Sequence, residues 1–360
     1  MGPVTPGVQG GNANTTPTAS VAAVAIEFPP HRVGQREALS GLTNFGGPQF
    51  DRFGASAGVE NRRISLPLSQ YGQLSGFTEA NEIFVETALE LGERALLSAF
   101  DAARVKPSDV DIVFSTTVTG LAVPTLEARL ATRVGLRPDV KRVPLFGLGC
   151  VAGAAGVARM HDYLLAFPDH VAVLLAVELC SLTLQRDDYS IANLVATSLF
   201  GDGAGAVVAK GSALTPMGPR VLATRSRLYP DTEEVMGWNI GSNGFQIKLS
   251  ADVATVAEKY LGEDVTNFLA DHGLTPADIS TWICHPGGPK VIEAVEHTLD
   301  LPVDALDHTR KSLRDNANLS SVSVLDILRA NMADPPSPGS FGLMIAMGPG
   351  FCSELVLLAW

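Results

Sequence analysis

The 360-residue chain is 46% hydrophobic, 18% charged and only 6% aromatic, which suits an aliphatic, alanine-rich interior of the kind large α/β enzymes build. A net charge of -12 argues against a nucleic-acid or anionic-membrane surface and leaves room only for a local basic patch around a phosphorylated ligand. Four cysteines without a CxxC pair, a secretory signal or a Cys/His cluster predict a reduced cytoplasmic protein with no disulfide and no metal, and no apolar run approaches the ~20 residues that span a bilayer.

Residues 1–20, rich in Gly, Pro, Thr and Asn, read as a disordered tail. Order begins with residues 21–28 (VAAVAIEF), a short apolar strand closed by Pro29-Pro30. Residues 41–71 read as loop and short helix. They contain Arg52, Arg62 and Arg63, taken as a solvated charged face unless a phosphorylated ligand is established. Residues 77–105 carry apolar side chains at helical spacing, among them Ile83, Ala88, Leu91, Ala95 and Phe100, and predict a long helix. A buried strand follows at 110–115, and Pro124 opens a helix through about Val134.

Residues 145–160 (LFGLGCVAGAAGVARM) are the stretch that suggests chemistry. Gly147, Gly149, Gly153 and Gly156 surround Cys150 and let backbone and substrate come close, while the small residues that follow predict a buried helix starting near the thiol. The N–H groups at such a start favour thiolate over thiol. The alternative is a buried structural cysteine. Residues 171–177 form an apolar strand ending in Glu178-Leu179-Cys180-Ser181, and Phe200-Gly201-Asp202-Gly203 turns into a strand at 204–209.

Residues 210–250 read as loop-rich. A helix over 251–272 then leads to a strand at 281–284, which ends in His285-Pro286-Gly287-Gly288. Pro289 opens a helix, Asn318 precedes another at 319–330, and strands at 343–347 and 355–359 are joined by Gly348-Pro349-Gly350. Gly120 is as far from Cys150 as Gly288 is from Asn318. Equal spacing in halves of similar element order, 21–210 and 211–360, points to an internal duplication, although two markers also allow coincidence. Singly, His285 and Asn318 have plain explanations as a loop histidine and a helix cap. Together with Cys150 they form a set able to supply a nucleophile and two donors to a developing oxyanion.

These motifs resemble the type III polyketide synthases, the family of plant chalcone synthase. The resemblance runs from about residue 21 to the end. It rests on Leu148-Gly149-Cys150-Val151-Ala152-Gly153, Leu199-Phe200-Gly201-Asp202-Gly203, Cys284-His285-Pro286-Gly287-Gly288-Pro289, Asn318-Leu319-Ser320-Ser321 and Gly348-Pro349-Gly350. Glu178-Leu179-Cys180-Ser181 and Met236-Gly237-Trp238 look more like bacterial members. The resemblance implies an α/β, thiolase-like αβαβα fold with two pseudo-symmetric halves, and a homodimer. It also implies iterative decarboxylative condensation of malonyl-CoA onto an acyl-CoA starter, with CoA thioesters as substrates and no cofactor.

Carried over by motif, Cys150 is the nucleophile, His285 its partner in a resting thiolate–imidazolium pair, and Asn318 the orienter of the malonyl thioester. Phe200 matches the gatekeeping aromatic and Phe245 is a candidate for a second; Val118, Thr119, Cys180 and Thr183 fall at cavity-lining positions. Arg52 and Lys290 are the CoA-contacting candidates. Gln49 and Ser56 stand where the family has lysines, and the Arg62-Arg63 pair is available to compensate. The small Cys180 beside Val118 and Thr119 predicts an acyl tunnel, hence a fatty acyl-CoA starter and an alkylpyrone or alkylresorcinol-type product. The alternatives are a ketoacyl synthase III, which needs a carrier protein, and a catalytically silent lipid-binding relative, which has no need of all three residues. A thiolase would want a second catalytic cysteine, for which Cys352 is a candidate only on position.

Overall fold

The computed structural model describes residues 18–42, 48–250 and 252–360. The tail expected over residues 1–20 lies outside the described residues as far as 17, and Ala19 and Ser20 already belong to the first strand.

In chain order the first half comprises β1 (Ala19–Glu27), β2 (His31–Gly34), α1 (Gln35–Leu42), α2 (Pro48–Ser56), β3 (Asn61–Ile64), α3 (Leu68–Tyr71), α4 (Phe77–Ala103), β4 (Ile112–Thr116), α5 (Leu126–Val134), β5 (Lys141–Leu145), α6 (Ala152–Ala166), β6 (Val171–Leu179), α7 (Ile191–Leu199) and β7 (Asp202–Lys210). The second comprises β8 (Arg220–Leu228), β9 (Met236–Gly241), β10 (Gly244–Leu249), α8 (Val253–Ala270), β11 (Ile279–Cys284), α9 (Pro289–Leu299), α10 (Asp307–Asn316), α11 (Ser321–Ala333), β12 (Phe341–Gly348) and β13 (Cys352–Ala359).

Nine strands form one sheet in the order β11-β12-β13-β8-β1-β7-β6-β4-β5, joined midway where Ala19 and Ser20 of β1 lie opposite Val221 and Arg220 of β8. Order and direction repeat on the two sides of that junction. β1 runs antiparallel to β7, β7 antiparallel to β6, and β6 parallel to β4. Likewise β8 runs antiparallel to β13, β13 antiparallel to β12, and β12 parallel to β11. β5, parallel to β4, extends the first half to a free edge.

Three separate cores make the layers. α4 and α5 pack on one face of the first half, α6 and α11 fill the space between the halves, and α8, α9 and α10 cover the far face of the second. The result is the thiolase-like α/β/α/β/α arrangement. The middle layer explains the small residues after Cys150. A Cβ on Gly153 would lie 2.2 Å from the Ser321 carbonyl oxygen and 2.7 Å from Val324, so α6 and α11 cross at a separation that only glycine allows. α11 is buried on every side from Ser321 to Leu328, as expected of a helix between two sheets.

Four parts of the sequence reading are corrected. Residues 210–250 are not loop but three strands. β8 (RVLATRSRL) hides its period because about half of its residues are polar, and β9 and β10 form a small separate hairpin. Within residues 41–71 lies β3, paired with β2. α7 and α10 were not anticipated: α10 buries only Thr309, Ser312 and Leu313, too narrow a stripe to read from sequence. The helix after Pro124 starts two residues later, at Leu126.

Candidate active site

Cys150 lies in a short 3-10 turn, Gly149–Val151, between the end of β5 and the start of α6. Gly149 has φ 56°, and a Cβ there would meet the Pro349 ring at 2.7 Å; a Cβ on Gly348 would press on the Leu148 carbonyl and the Val151 amide. The turn joining β12 to β13 thus buttresses the cysteine loop from the other half of the molecule. This is why glycines flank Pro349 and precede Cys150.

His285 leaves the end of β11, its amide donating to the Ile345 carbonyl at 2.8 Å. Both of its ring nitrogens are buried and without a hydrogen-bond partner. Asn318 is held by its backbone: its N–H donates to the Leu199 carbonyl and its carbonyl accepts from the Gly201 N–H, each at 2.9 Å. Its Oδ1 accepts from the Ser320 N–H at 2.8 Å. A backbone N–H can meet only an acceptor, so this bond identifies Oδ1 and leaves the amide NH2 as the donor edge. Ala317 (φ 66°, ψ -175°) and Ser320 (φ 52°, ψ -126°) flank it in regions unfavourable to side-chain-bearing residues. Each costs about 1–3 kcal/mol, which a structure retains where its surroundings over-determine the backbone.

Cys150, His285 and Asn318 converge, from three different elements, on one mostly apolar cavity of ≈ 70 Å³. Phe200, Val118, Thr119, Cys180 and Thr183 line it, together with Trp238 and Met236 of β9. Phe245 does not line it. Its buried ring packs edge-on against Phe77 (5.6 Å) and Trp238 (5.8 Å) and faces a separate, more polar cavity. Ile247, one strand repeat further along β10, takes a place in the catalytic wall instead.

Arg52 on α2 and Lys290 at the start of α9 are exposed and outside the cavity, on adjoining segments: a Cβ on Gly58 would touch Pro289 at 2.9 Å. Ser56 is exposed, and the side chain of Gln49 lies outside the described residues. Arg62 overturns its assignment to a solvated face. It is 1% exposed, donating through Nη1 to the Thr197 (2.6 Å) and Phe200 (2.8 Å) carbonyls and through Nη2 to the Ser198 carbonyl (2.7 Å) and Gln35 Oε1. It is therefore not available to CoA. Arg63 is half-buried over the Phe28 ring.

The sequence reading gave no role to Glu178 or Ser320. Glu178 Oε1 accepts from the Ser321 (2.6 Å) and Ser320 (3.4 Å) hydroxyls, and Oε2 from the Thr119 hydroxyl (3.0 Å) and Val118 N–H (3.1 Å). Ser320 Oγ in turn lies 3.7 Å from Cys150 Sγ. The available signal was one acid in the otherwise apolar β6, VAVLLAVEL, since a buried carboxyl demands partners.

Burial pushes the Cys150 thiol up to about 12, with the Ser320 hydrogen bond opposing and the Glu178 charge adding, and burial pushes His285 down to about 3. No hydrogen bond joins them. Burial thus works against both charges of the resting thiolate–imidazolium pair expected from sequence, and Cys150 lies two residues before the first residue of α6.

Glu178 carries a pH prediction. Burial raises it from 4.5 to about 7. An acid raised on folding contributes stability below its unfolded value, and that contribution is lost as pH rises through the folded one. Glu178→Gln, isosteric with the protonated acid, should match the wild type near about pH 4 and exceed its stability near about pH 8, by up to about 3 kcal/mol. Denaturant unfolding at the two pH values checks this, and an equal difference at both would sink it.

Among the described residues no cluster of His, Cys, Asp and Glu could hold a metal ion, and no helix is long and apolar enough to cross a membrane. Residues 67–213 match the profile of the chalcone and stilbene synthases, N-terminal domain, and residues 220–359 that of the C-terminal domain. A 1,3,6,8-tetrahydroxynaphthalene synthase of Streptomyces peucetius subsp. caesius is 53% identical over 95% of this chain and 93% of its own. A putative chalcone synthase of Bacillus subtilis (strain 168) is 35% identical over 84% of this chain and 86% of its own. The crystal structure of 1,3,6,8-tetrahydroxynaphthalene synthase from Streptomyces coelicolor A3(2), a bacterial type III polyketide synthase, superposes with a TM-score of 0.90 at 28% identity, covering 95% of this chain and 99% of that one. These matches favour neither the ketoacyl synthase III nor the silent lipid binder. With both halves matched in order and the Cys/His/Asn set gathered in one cavity, the chain belongs to the chalcone and stilbene synthase family and is a type III polyketide synthase, an acyl-transferring enzyme that forms carbon–carbon bonds.

Proposed function

We propose that the enzyme builds an aromatic polyphenol of the tetrahydroxynaphthalene type from malonyl-CoA alone, using malonyl-CoA as starter and extender. The observation that carries this is the catalytic cavity itself, small and walled in part by Trp238, which suits a short starter better than the fatty acyl chain expected from Cys180, Val118 and Thr119. The 53% identity to a tetrahydroxynaphthalene synthase supports the same reading.

Cys150 Sγ attacks the thioester carbonyl of the starter as its proton passes to a ring nitrogen of His285. The attraction between the charges so formed, strong in an apolar cavity, offsets part of their desolvation. Collapse of the tetrahedral adduct breaks the bond to the CoA sulfur, which takes the proton from His285, leaving an acyl-Cys150 thioester. For extension, the thioester oxygen of malonyl-CoA lies against the His285 ring N–H and the Asn318 NH2. The bond to the carboxylate breaks, carbon dioxide leaves, and the electron pair forms an enolate whose oxygen these donors hold. The enolate carbon attacks the acyl-Cys150 carbonyl, a carbon–carbon bond forms, and the Cys150 sulfur leaves, ready for reloading.

Arg52 and Lys290 are the proposed contacts for CoA phosphates, and the CoA thioesters serve as substrates with no cofactor in any step. Exposed Leu121, Val123 and Phe146, close after β4 and β5 at the free edge of the sheet, are the proposed docking surface for a second copy in a homodimer. Four free thiols fit a reducing, cytoplasmic setting.

Mass spectrometry of products from malonyl-CoA alone and from a panel of acyl-CoA starters tests the reading. An aromatic product from malonyl-CoA alone is expected, and Trp238→Gly should open the cavity and admit longer starters. A wild-type enzyme that makes product only when given a fatty acyl-CoA would replace this reading with the alkylpyrone or alkylresorcinol one.

A further inference from the structure

We infer that Arg62 is a positioning residue for decarboxylation, a buried guanidinium that sets Asn318 through the end of α7; this rests on the role of Asn318 proposed above. α4, α5 and α9 close on left-handed residues, Arg104 (φ 53°), Gly135 (φ 81°) and Asp300 (φ 50°), whose amides turn back onto the last helical carbonyls. α7 does not turn. Its C-cap, Phe200, is extended (φ -88°, ψ 151°), so the chain runs straight out of the helix.

That extended exit is what reaches the catalytic residue. Phe200 lies opposite Asn318 as an isolated parallel bridge, with the Leu199 carbonyl accepting from the Asn318 N–H and the Gly201 N–H donating to its carbonyl. The fit is tight, because a Cβ on Gly201 would sit 2.8 Å from the Asn316 carbonyl oxygen and 3.5 Å from Arg62 Cβ. Leaving the helix this way exposes carbonyls at its end that a left-handed cap would have satisfied. Arg62 satisfies them, its planar fork reaching the carbonyls of Thr197, Ser198 and Phe200 together.

On the other side of Gly201, Asp202 accepts from the Ser181 N–H (2.8 Å) and from the Ser181 (2.5 Å) and Ser65 (2.6 Å) hydroxyls, tying the same segment to the wall that carries Cys180. A buried cation and a buried anion therefore grip the residues on either side of Gly201, and Asn318 hangs between their anchor points. Without the guanidinium, the carbonyls at the end of α7 gain partners only if the exit rotates. Rotation carries the Leu199 carbonyl and Gly201 amide away, and Asn318 with them. Cys150 is held by Pro349 and α6 and meets this path only at the Ser320 hydroxyl, 3.7 Å from its sulfur.

The consequence is a split between two half-reactions. Arg62→Met should lower the kcat of malonyl-CoA decarboxylation by about a hundredfold, the cost of roughly an ångström of misplacement. Acylation of Cys150 by a CoA thioester, followed by peptide mass mapping, should stay near the wild-type rate. Gln35→Leu removes one Arg62 contact and one bond to the Ser198 carbonyl, and should give a smaller loss of the same kind; it carries the test if Arg62→Met does not fold. Equal loss in both half-reactions, or unchanged decarboxylation in a folded Arg62 variant, overturns the proposal. Asn318→Ala run alongside separates the layers. If it decarboxylates at the wild-type rate, the role of Asn318 is wrong and the Arg62 proposal falls with it. If it is impaired while the Arg62 and Gln35 variants are not, only the Arg62 proposal falls.

Discussion

Cys150→Ala is expected to abolish polyketide formation, with a loss on the order of the millionfold seen when an acyl-transfer enzyme loses its nucleophile. The competing candidate is Cys180, which lines the same cavity. Burial raises the Cys180 thiol well above its ordinary range, and the nearby charges of Glu178 and Asp202 push it the same way. Cys150 has in addition the hydroxyl of Ser320 to stabilise its anion. Cys284 is fully buried and Cys352 sits on a strand, neither of them in the cavity wall. Peptide mapping after incubation with a labelled CoA thioester decides the matter. Label on Cys150 alone is the expected outcome, and stable label on Cys180 would end the assignment.

The second large effect separates His285 from Asn318. Removing one donor to a developing oxyanion costs about a hundred- to a thousandfold in rate. Asn318→Ala should lose about that much in malonyl-CoA decarboxylation and leave Cys150 loading measurable, because the role proposed for its NH2 is on the malonyl oxygen alone. His285→Ala should damage both steps, since the imidazole is also the proposed acceptor of the thiol proton. Release of carbon dioxide and acylation of Cys150, followed separately in each variant, provide the check. Small and equal losses in the two variants would assign both residues to structural support.

The sequence by itself determined the family, the order of the main helices and strands of the first half, and three residues that line one cavity. These were legible because each depends on local chemistry: the 3.6-residue period of α4, the unbroken apolar run of β6, and the glycines that frame Cys150, His285 and the Gly348-Pro349-Gly350 turn. Where a segment takes its partners from distant parts of the chain, the reading failed. β8 looked like loop because half its residues are polar, yet it joins the two halves by pairing with β13 and β1. Arg62 looked like a surface charge, because only the fold brings to it the end of a helix more than a hundred residues away. Phe245 and Ile247 share one face of β10, and only the tertiary placement of that hairpin decides which reaches the cavity. The burial that opposes charge on Cys150 and His285 is likewise a tertiary property. Sequence shows which ionisable groups are present, but the balance between desolvation and hydrogen bonding is set by what the folded chain packs around them.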